Sequence, residues 1–117
     1  MRYSVLLLIC FSSCTYNEVP STYNEIPYDC SSNEPSFKEC IKPIIDNHCV
    51  PCHKTGSANG DLSTYESLWE FTINGDLINR ISKNQNEAGF MPLGNQKLDQ
   101  MTIDMLIHWK ENDAPNN

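Results

Sequence analysis

Between Phe37 and Ile45 the apolar residues Phe37, Ile41, Ile44 and Ile45 recur at i, i+4, i+7 and i+8, the spacing of one stripe on an α-helix. Ser36-Phe37-Lys38-Glu39 opens this stretch in the form of a capping box. The Ser36 hydroxyl accepts from the Glu39 N–H, and the Glu39 side chain reaches back to the Ser36 N–H. Pro43 lies inside the stripe and cannot donate to the carbonyl of Glu39, so it must kink or interrupt a helix expected to end near His48. A second stripe runs through Leu62, Tyr65, Leu68 and Trp69, with Ser63 or Thr64 as its cap. Beyond the turn Asn74-Gly75-Asp76, the residues Leu77, Ile78 and Ile81 predict a short third helix. The last stripe is Ile103, Leu106, Ile107 and Lys110, with Trp109 at its edge, Asp99 as N-cap and Pro115 as the stop. It needs an apolar partner, and the Phe37–Ile45 stripe is the obvious one. These elements predict a small all-α domain over residues 36–117.

Ahead of that domain the pattern changes twice. Val5 to Phe11 is an unbroken apolar run behind Arg2, the layout of a secretory h-region. It falls far short of the roughly 20 apolar residues that cross a bilayer. Thr15-Tyr16-Asn17-Glu18-Val19-Pro20-Ser21 is then echoed by Thr22-Tyr23-Asn24-Glu25-Ile26-Pro27-Tyr28. Two copies are too few for a solenoid, and a proline in every copy breaks any long helix. Residues 14–35 therefore read as a flexible, extended tether, with a docking motif of tyrosines and acids as the alternative.

The chain has 117 residues, room for one small domain and too few for a multidomain enzyme. Its formal charge of −7 offers no electrostatic footprint for nucleic acid or for an anionic lipid surface. Six cysteines in so short a chain are a stronger signal, and they separate by context. Phe11-Ser12-Ser13-Cys14 resembles the lipobox of bacterial lipoproteins. That resemblance implies that residues 1–13 are removed as a signal peptide and that Cys14 carries the lipid. The alternatives are an ordinary cleaved signal, a packed N-terminal strand, or modification at Cys10.

Cys49-Val50-Pro51-Cys52-His53 is the attachment signal for c-type haem. The two thiols add across the haem vinyl groups as thioethers. Their spacing is close to one helical turn, which sets both sulfurs at the same porphyrin edge. His53 then supplies the proximal iron ligand. A thioredoxin-like C-x-x-C would need a βαβ setting, and zinc would need a second ligand pair at short spacing. For the sixth iron position the candidates are His48, Met91, Met101, Met105 and His108. Met91 stands in the loop Gly89-Phe90-Met91-Pro92-Leu93-Gly94, which has no helical period and can bring a side chain over a flat cofactor. Met101 and Met105 belong to the last helix or its edge and are expected to pack. His48 is too close to the cysteine pair to reach the opposite face. His108 sits mid-helix and reads as packed or solvent-facing. Arg80 could pair with a haem propionate or remain a solvated arginine.

With these residues assembled, the chain resembles the class I cytochrome c domain in the form found in exported bacterial cytochrome lipoproteins. The pieces that carry the resemblance are Ile41-Lys42-Pro43-Ile44-Ile45 leading into Cys49-Val50-Pro51-Cys52-His53, then Gly60-Asp61-Leu62 with Tyr65. Met91-Pro92 and Ile103…Trp109 closing on Ala114-Pro115 complete it. The resemblance implies an all-α class I cytochrome c fold in which the N- and C-terminal helices cross and one covalent haem c is seated against both. Asp113, where a glycine commonly precedes Ala-Pro, and Cys40 in the first helix depart from the pattern. Cys30 and Cys40 are the cysteines left over. In an oxidising compartment they are expected to pair and tie the tether to the first helix, the alternative being two free thiols.

The function expected is a lipid-anchored, exported monohaem electron carrier of the periplasm or cell envelope. Cys49 and Cys52 would hold the haem, and His53 and Met91 would ligate its iron. No catalytic residue is expected. The acidic surface would suit redox partners with a basic docking face, and no nucleic acid. A haem enzyme or gas-reactive subunit with an open sixth site, and a binding or sensing module of a larger complex, are the alternatives.

Overall fold

The computed structural model describes residues 29–117. The expected signal peptide, Cys14 and the repeat lie outside the described residues. A π-helical turn, Phe37–Ile41, runs into helix α1, Lys42–His48; α2 spans Tyr65–Ile73, α3 Leu77–Ser82 and α4 Gln100–Glu111. Among the described residues there is no strand, and the domain is all-α.

The caps follow the sequence. Ser36 Oγ accepts from Glu39 N at 3.3 Å, Thr64 Oγ1 from Ser67 N at 3.3 Å, and Asp99 Oδ1 from Thr102 N at 2.8 Å. The Glu39 carboxylate lies 3.8 Å from Lys38 Nζ. Pro43 falls in the first turn of α1, where a missing N–H is tolerated. The turn before it is widened. Cys40 N and Ile41 N both donate to the Ser36 carbonyl, at 3.0 and 3.1 Å, and Lys42 N reaches back to Phe37 O. The interruption expected at Pro43 is thus a change of helical winding one residue ahead of it.

The stripes converge on one core of Phe37, Ile41, Ile45, Leu68, Ile81, Leu106 and Trp109, with Ile41 and Trp109 fully buried. α4 meets the first helix at its opening turn and packs on α3, which in turn meets α2. Phe37 lies between two rings: it stacks on Trp109 with centroids 5.7 Å apart and meets Tyr65 edge-on at 5.0 Å. Past α4 the chain turns sharply through Asp113 and Ala114, both in the left-handed region at φ 63° and 49°. Aromatic donors hold this turn: Tyr65 OH binds Ala114 O at 2.9 Å, Trp69 Nε1 binds Asp113 O at 3.1 Å and Trp109 Nε1 binds Pro115 O at 3.0 Å.

Where the hydrophobic pattern ends the tether at Pro35, residues 29–35 lie against the domain. A disulfide joins Cys30 to Cys40, with Cα atoms 5.6 Å apart. Asn112 Nδ2 donates to Asn33 O at 2.7 Å, and Pro35 is fully buried.

Candidate functional site

α1 ends at His48, and the chain turns at once through Cys49–Cys52. Cys52 N and His53 N both donate to the Cys49 carbonyl, at 3.1 and 2.9 Å, so the two thiols share one tight turn. Both are free: Cys52 is exposed, while Cys49 is half-buried against the core. Burial pushes the Cys49 thiol up to about 11, so it stays neutral at neutral pH.

The ten-residue loop from His53 to Leu62 is closed by Leu62 N donating to His53 O at 2.8 Å. Inside it, Ser57 Oγ donates to Cys52 O at 2.9 Å and accepts from Asn59 N at 3.2 Å. Asp61 receives the Ser63 hydroxyl and amide, at 2.5 and 2.8 Å, and the Thr55 hydroxyl at 2.9 Å. These donors, Ser63 foremost, hold its carboxyl below the usual value. The loop brings the Asn59 carbonyl to 3.0 Å from His53 Nδ1. A carbonyl only accepts, so Nδ1 carries the hydrogen, and in the neutral ring the lone pair is on Nε2. This is how a protein orients an imidazole that ligates metal.

The Met91 segment is hung from α3. Met91 N donates to Arg80 O at 3.2 Å, and Lys83 Nζ donates to Ala88 O at 2.7 Å. Gly89 has φ +83°, a backbone conformation that calls for glycine, and a Cβ there would sit 3.2 Å from the tip of Lys83, Nζ. Phe90 is buried, and the Met91–Pro92 peptide is cis.

The two segments face a common cleft of about 410 Å³. His53 and Met91 both line it, together with Cys52 and Arg80, and its walls are chiefly apolar, from Leu62, Phe71, Leu77, Ile81, Pro92 and Leu93. Cys49 is one turn away and does not line it. Of the other iron-ligand candidates, His48 lines the cleft. Met101 is 72% exposed, Met105 packs on the core and His108 lies 3.4 Å from the Glu111 carboxylate.

A haem fits what these residues offer. The cleft is apolar and open to solvent, as a flat hydrophobic ring with charged propionates requires. Two imidazoles, His48 and His53, and one thioether, Met91, line it. Arg80 Nε is buried without a hydrogen-bond partner, which leaves a donor for an anionic group. Among the described residues no three His, Cys, Asp or Glu side chains converge as a metal-binding group. A bare ion would need such a cluster. An iron in porphyrin takes four in-plane nitrogens from the ring and needs side chains only above and below it.

Compared with known proteins, the chain matches no family model, no curated protein and no solved structure.

Sequence reasoning passed over Asn59 and Ser57, and took Asp61 only as part of the Gly60-Asp61-Leu62 piece of the resemblance. Asn59 acts through its backbone carbonyl, which any residue carries. The available signal was the Ser57…Gly60-Asp61…Ser63 turn chemistry directly after the C-x-x-C-H run.

Proposed function

We propose that the protein is a c-type cytochrome. More particularly, it is a lipid-anchored monohaem electron carrier: haem c is held through Cys49 and Cys52, its iron is ligated by His53 and Met91, and Cys14 bears the anchor. The domain then has the class I cytochrome c fold. The observation that carries this reading is the meeting of His53 and Met91 in one apolar cleft, with His53 Nδ1 committed to the Asn59 carbonyl.

The haem, when bound, supplies one-electron chemistry between Fe(II) and Fe(III). The protein orients and shields it. The Asn59 carbonyl keeps the His53 ring in one tautomer. Leu62, Phe71, Leu77 and Ile81 line the cleft and would keep bulk water from the ring. Arg80 offers a charged donor to a propionate. Ligation by one methionine and one histidine would raise the potential relative to two histidines. Were His53 and Met91 both to hold the iron, no position would remain for a substrate, which favours a carrier over an enzyme.

The test is expression of the full-length chain in a host that attaches c-type haem. The expected product keeps its haem after denaturing electrophoresis. Oxidised, it shows a methionine–iron charge-transfer band that Met91→Ala abolishes. Covalent haem without that band would turn the reading toward a haem enzyme with an open sixth site. A colourless, folded protein would overturn it. Cys14→Ser should move the protein from the membrane fraction to the soluble one.

A further inference from the structure

Asparagine is a thermally labile residue, and most so before glycine, which leaves the following backbone nitrogen unshielded. The chain has two such pairs, Asn59-Gly60 and Asn74-Gly75. Both line a second cleft, of about 370 Å³, which shares His53, Asn59, Leu62 and Phe71 with the first. Loss of the side-chain amide needs the glycine nitrogen to reach the asparagine Cγ, so the peptide between the two residues must rotate.

Asn74 is held against that rotation. It caps α2 at its C-terminus, with its amide bonded to Glu70 O at 2.9 Å. Gly75 lies so near the helix that a Cβ there would sit 2.5 Å from Phe71 O, so the end of α2 crowds the peptide. Asn59 has more room. Asn59 and Gly60 are both exposed, and nothing lies within 4 Å of the point a Gly60 Cβ would occupy. Gly60 N donates to Ser57 O at 3.3 Å, longer than an ordinary amide bond. The firmer restraint is on the other side of the same peptide, where Asn59 O lies 3.0 Å from His53 Nδ1. One peptide unit thus carries both the oxygen that orients His53 and the nitrogen poised beside the Asn59 side chain.

We propose that Asn59 is a site of spontaneous deamidation and isomerisation, with the His53 contact setting its rate. The Gly60 nitrogen gives up its proton and bonds to Asn59 Cγ, and the side-chain nitrogen leaves with that proton as ammonia. Water then opens the cyclic imide. Opening at the side-chain carbonyl gives aspartate. Opening at the main-chain carbonyl gives isoaspartate, whose backbone runs on through the former side chain. One water is consumed, one ammonia is released and no electron changes hands. In isoaspartate the carbon whose oxygen held His53 belongs to a free carboxylate. Either product sets a negative charge beside the imidazole where a neutral group stood. The chemistry itself needs no haem. Its effect on the iron rests on the cytochrome reading, and there the added charge favours Fe(III) and lowers the reduction potential.

The test ages the full-length holoprotein in warm, mildly alkaline buffer. Isoaspartate is read by enzymatic methyl labelling, and mass spectrometry after cleavage at glutamate separates the two sites, since Glu66 and Glu70 lie between them. The expected result is that position 59 accumulates isoaspartate well ahead of position 74. Ser57→Ala removes the brace on the Asn59 amide. It should speed the loss at Asn59 about fivefold, the worth of one ordinary hydrogen bond, and leave Asn74 unchanged. Asn59→Gln keeps the backbone carbonyl but would have to close a larger, slower ring, so it should remove most of the methyl label. Aged holoprotein should have a lower reduction potential than fresh protein by spectroelectrochemistry, opposite in sign to simple loss of the carbonyl contact. Loss at Asn74 that matches or exceeds that at Asn59, or a rate at Asn59 that Ser57→Ala leaves unchanged, overturns the inference. A chain that binds no haem fails the carrier reading instead, while the labelling still decides whether Asn59 reacts.

Discussion

Ser57 and Asp61 lie next to the chemistry without entering it. Ser57 bridges the Cys52 carbonyl to the Asn59 amide, and Asp61 closes the same loop through Thr55 and Ser63. Their effect passes through one contact, Asn59 O on His53 Nδ1. On the proposed reading, that bond would make the imidazole a stronger electron donor and favour Fe(III). Ser57→Ala loosens it, so the reduction potential should move upward with the methionine band retained, as read by spectroelectrochemistry. Asp61 also sets a pH dependence. Its folded pKa lies below the ordinary value of 3.8, so its contribution to stability is fully present above that pH and is lost as pH falls below it. Asp61→Asn should flatten the acid limb of a Tm-versus-pH profile. In the haem-free protein, exposed Cys52 should be alkylated well before Cys49, whose thiol is half-buried and titrates near 11. Cys52, His53 and Met91, which meet in one cleft, were legible as candidates because few residue types offer a thiol, an imidazole or a thioether. Asn59 was not, because a carbonyl oxygen leaves no trace in residue type.

The helices were legible where a local device specifies them. Thr64 and Asp99 cap α2 and α4 with their own oxygens, and both are visible as a side chain just ahead of an apolar stripe. Asp99→Ala should cost about 1 kcal/mol in denaturant unfolding. Ser36 does more. Its hydroxyl accepts from Glu39 N and donates to the Asn117 carbonyl at 3.0 Å, and the residue is buried. Ser36→Ala should therefore cost more than the exposed cap, about 1–3 kcal/mol. The winding of the first helix was not legible. Proline announces that a regular ladder cannot continue, yet whether the chain bends or widens depends on what surrounds it. Here the widened turn lets Phe37 face both Trp109 and Tyr65.

Across the whole molecule, contacts between distant segments decide what the elements alone cannot. The turn at Asp113 and Ala114 is held by donors from α2 and α4, and no local pattern announces a bond from Tyr65 to Ala114. Trp109 serves both core and turn, so Trp109→Ala should cost about 3–5 kcal/mol. Trp109→Phe keeps most of the packing and loses the bond to Pro115, so it should cost clearly less. The Cys30–Cys40 disulfide closes a loop with a sequence separation of 10. Replacing both cysteines by serine should lower stability by about 2–3 kcal/mol in chemical denaturation.

That disulfide also sets a length. On the proposed reading the domain is leashed at Cys14, and its free chain ends at Cys30 rather than at Ser36. A leash from residue 14 to 30 reaches at most about 55 Å, whereas one from 14 to 36 would reach about 75 Å. The hemisphere open to the domain scales as the cube of that radius, so the clasp confines it to about 0.4 of the volume. Within it, every partner at the membrane surface meets a correspondingly higher local concentration of this domain, and any acceptor standing farther off is out of range.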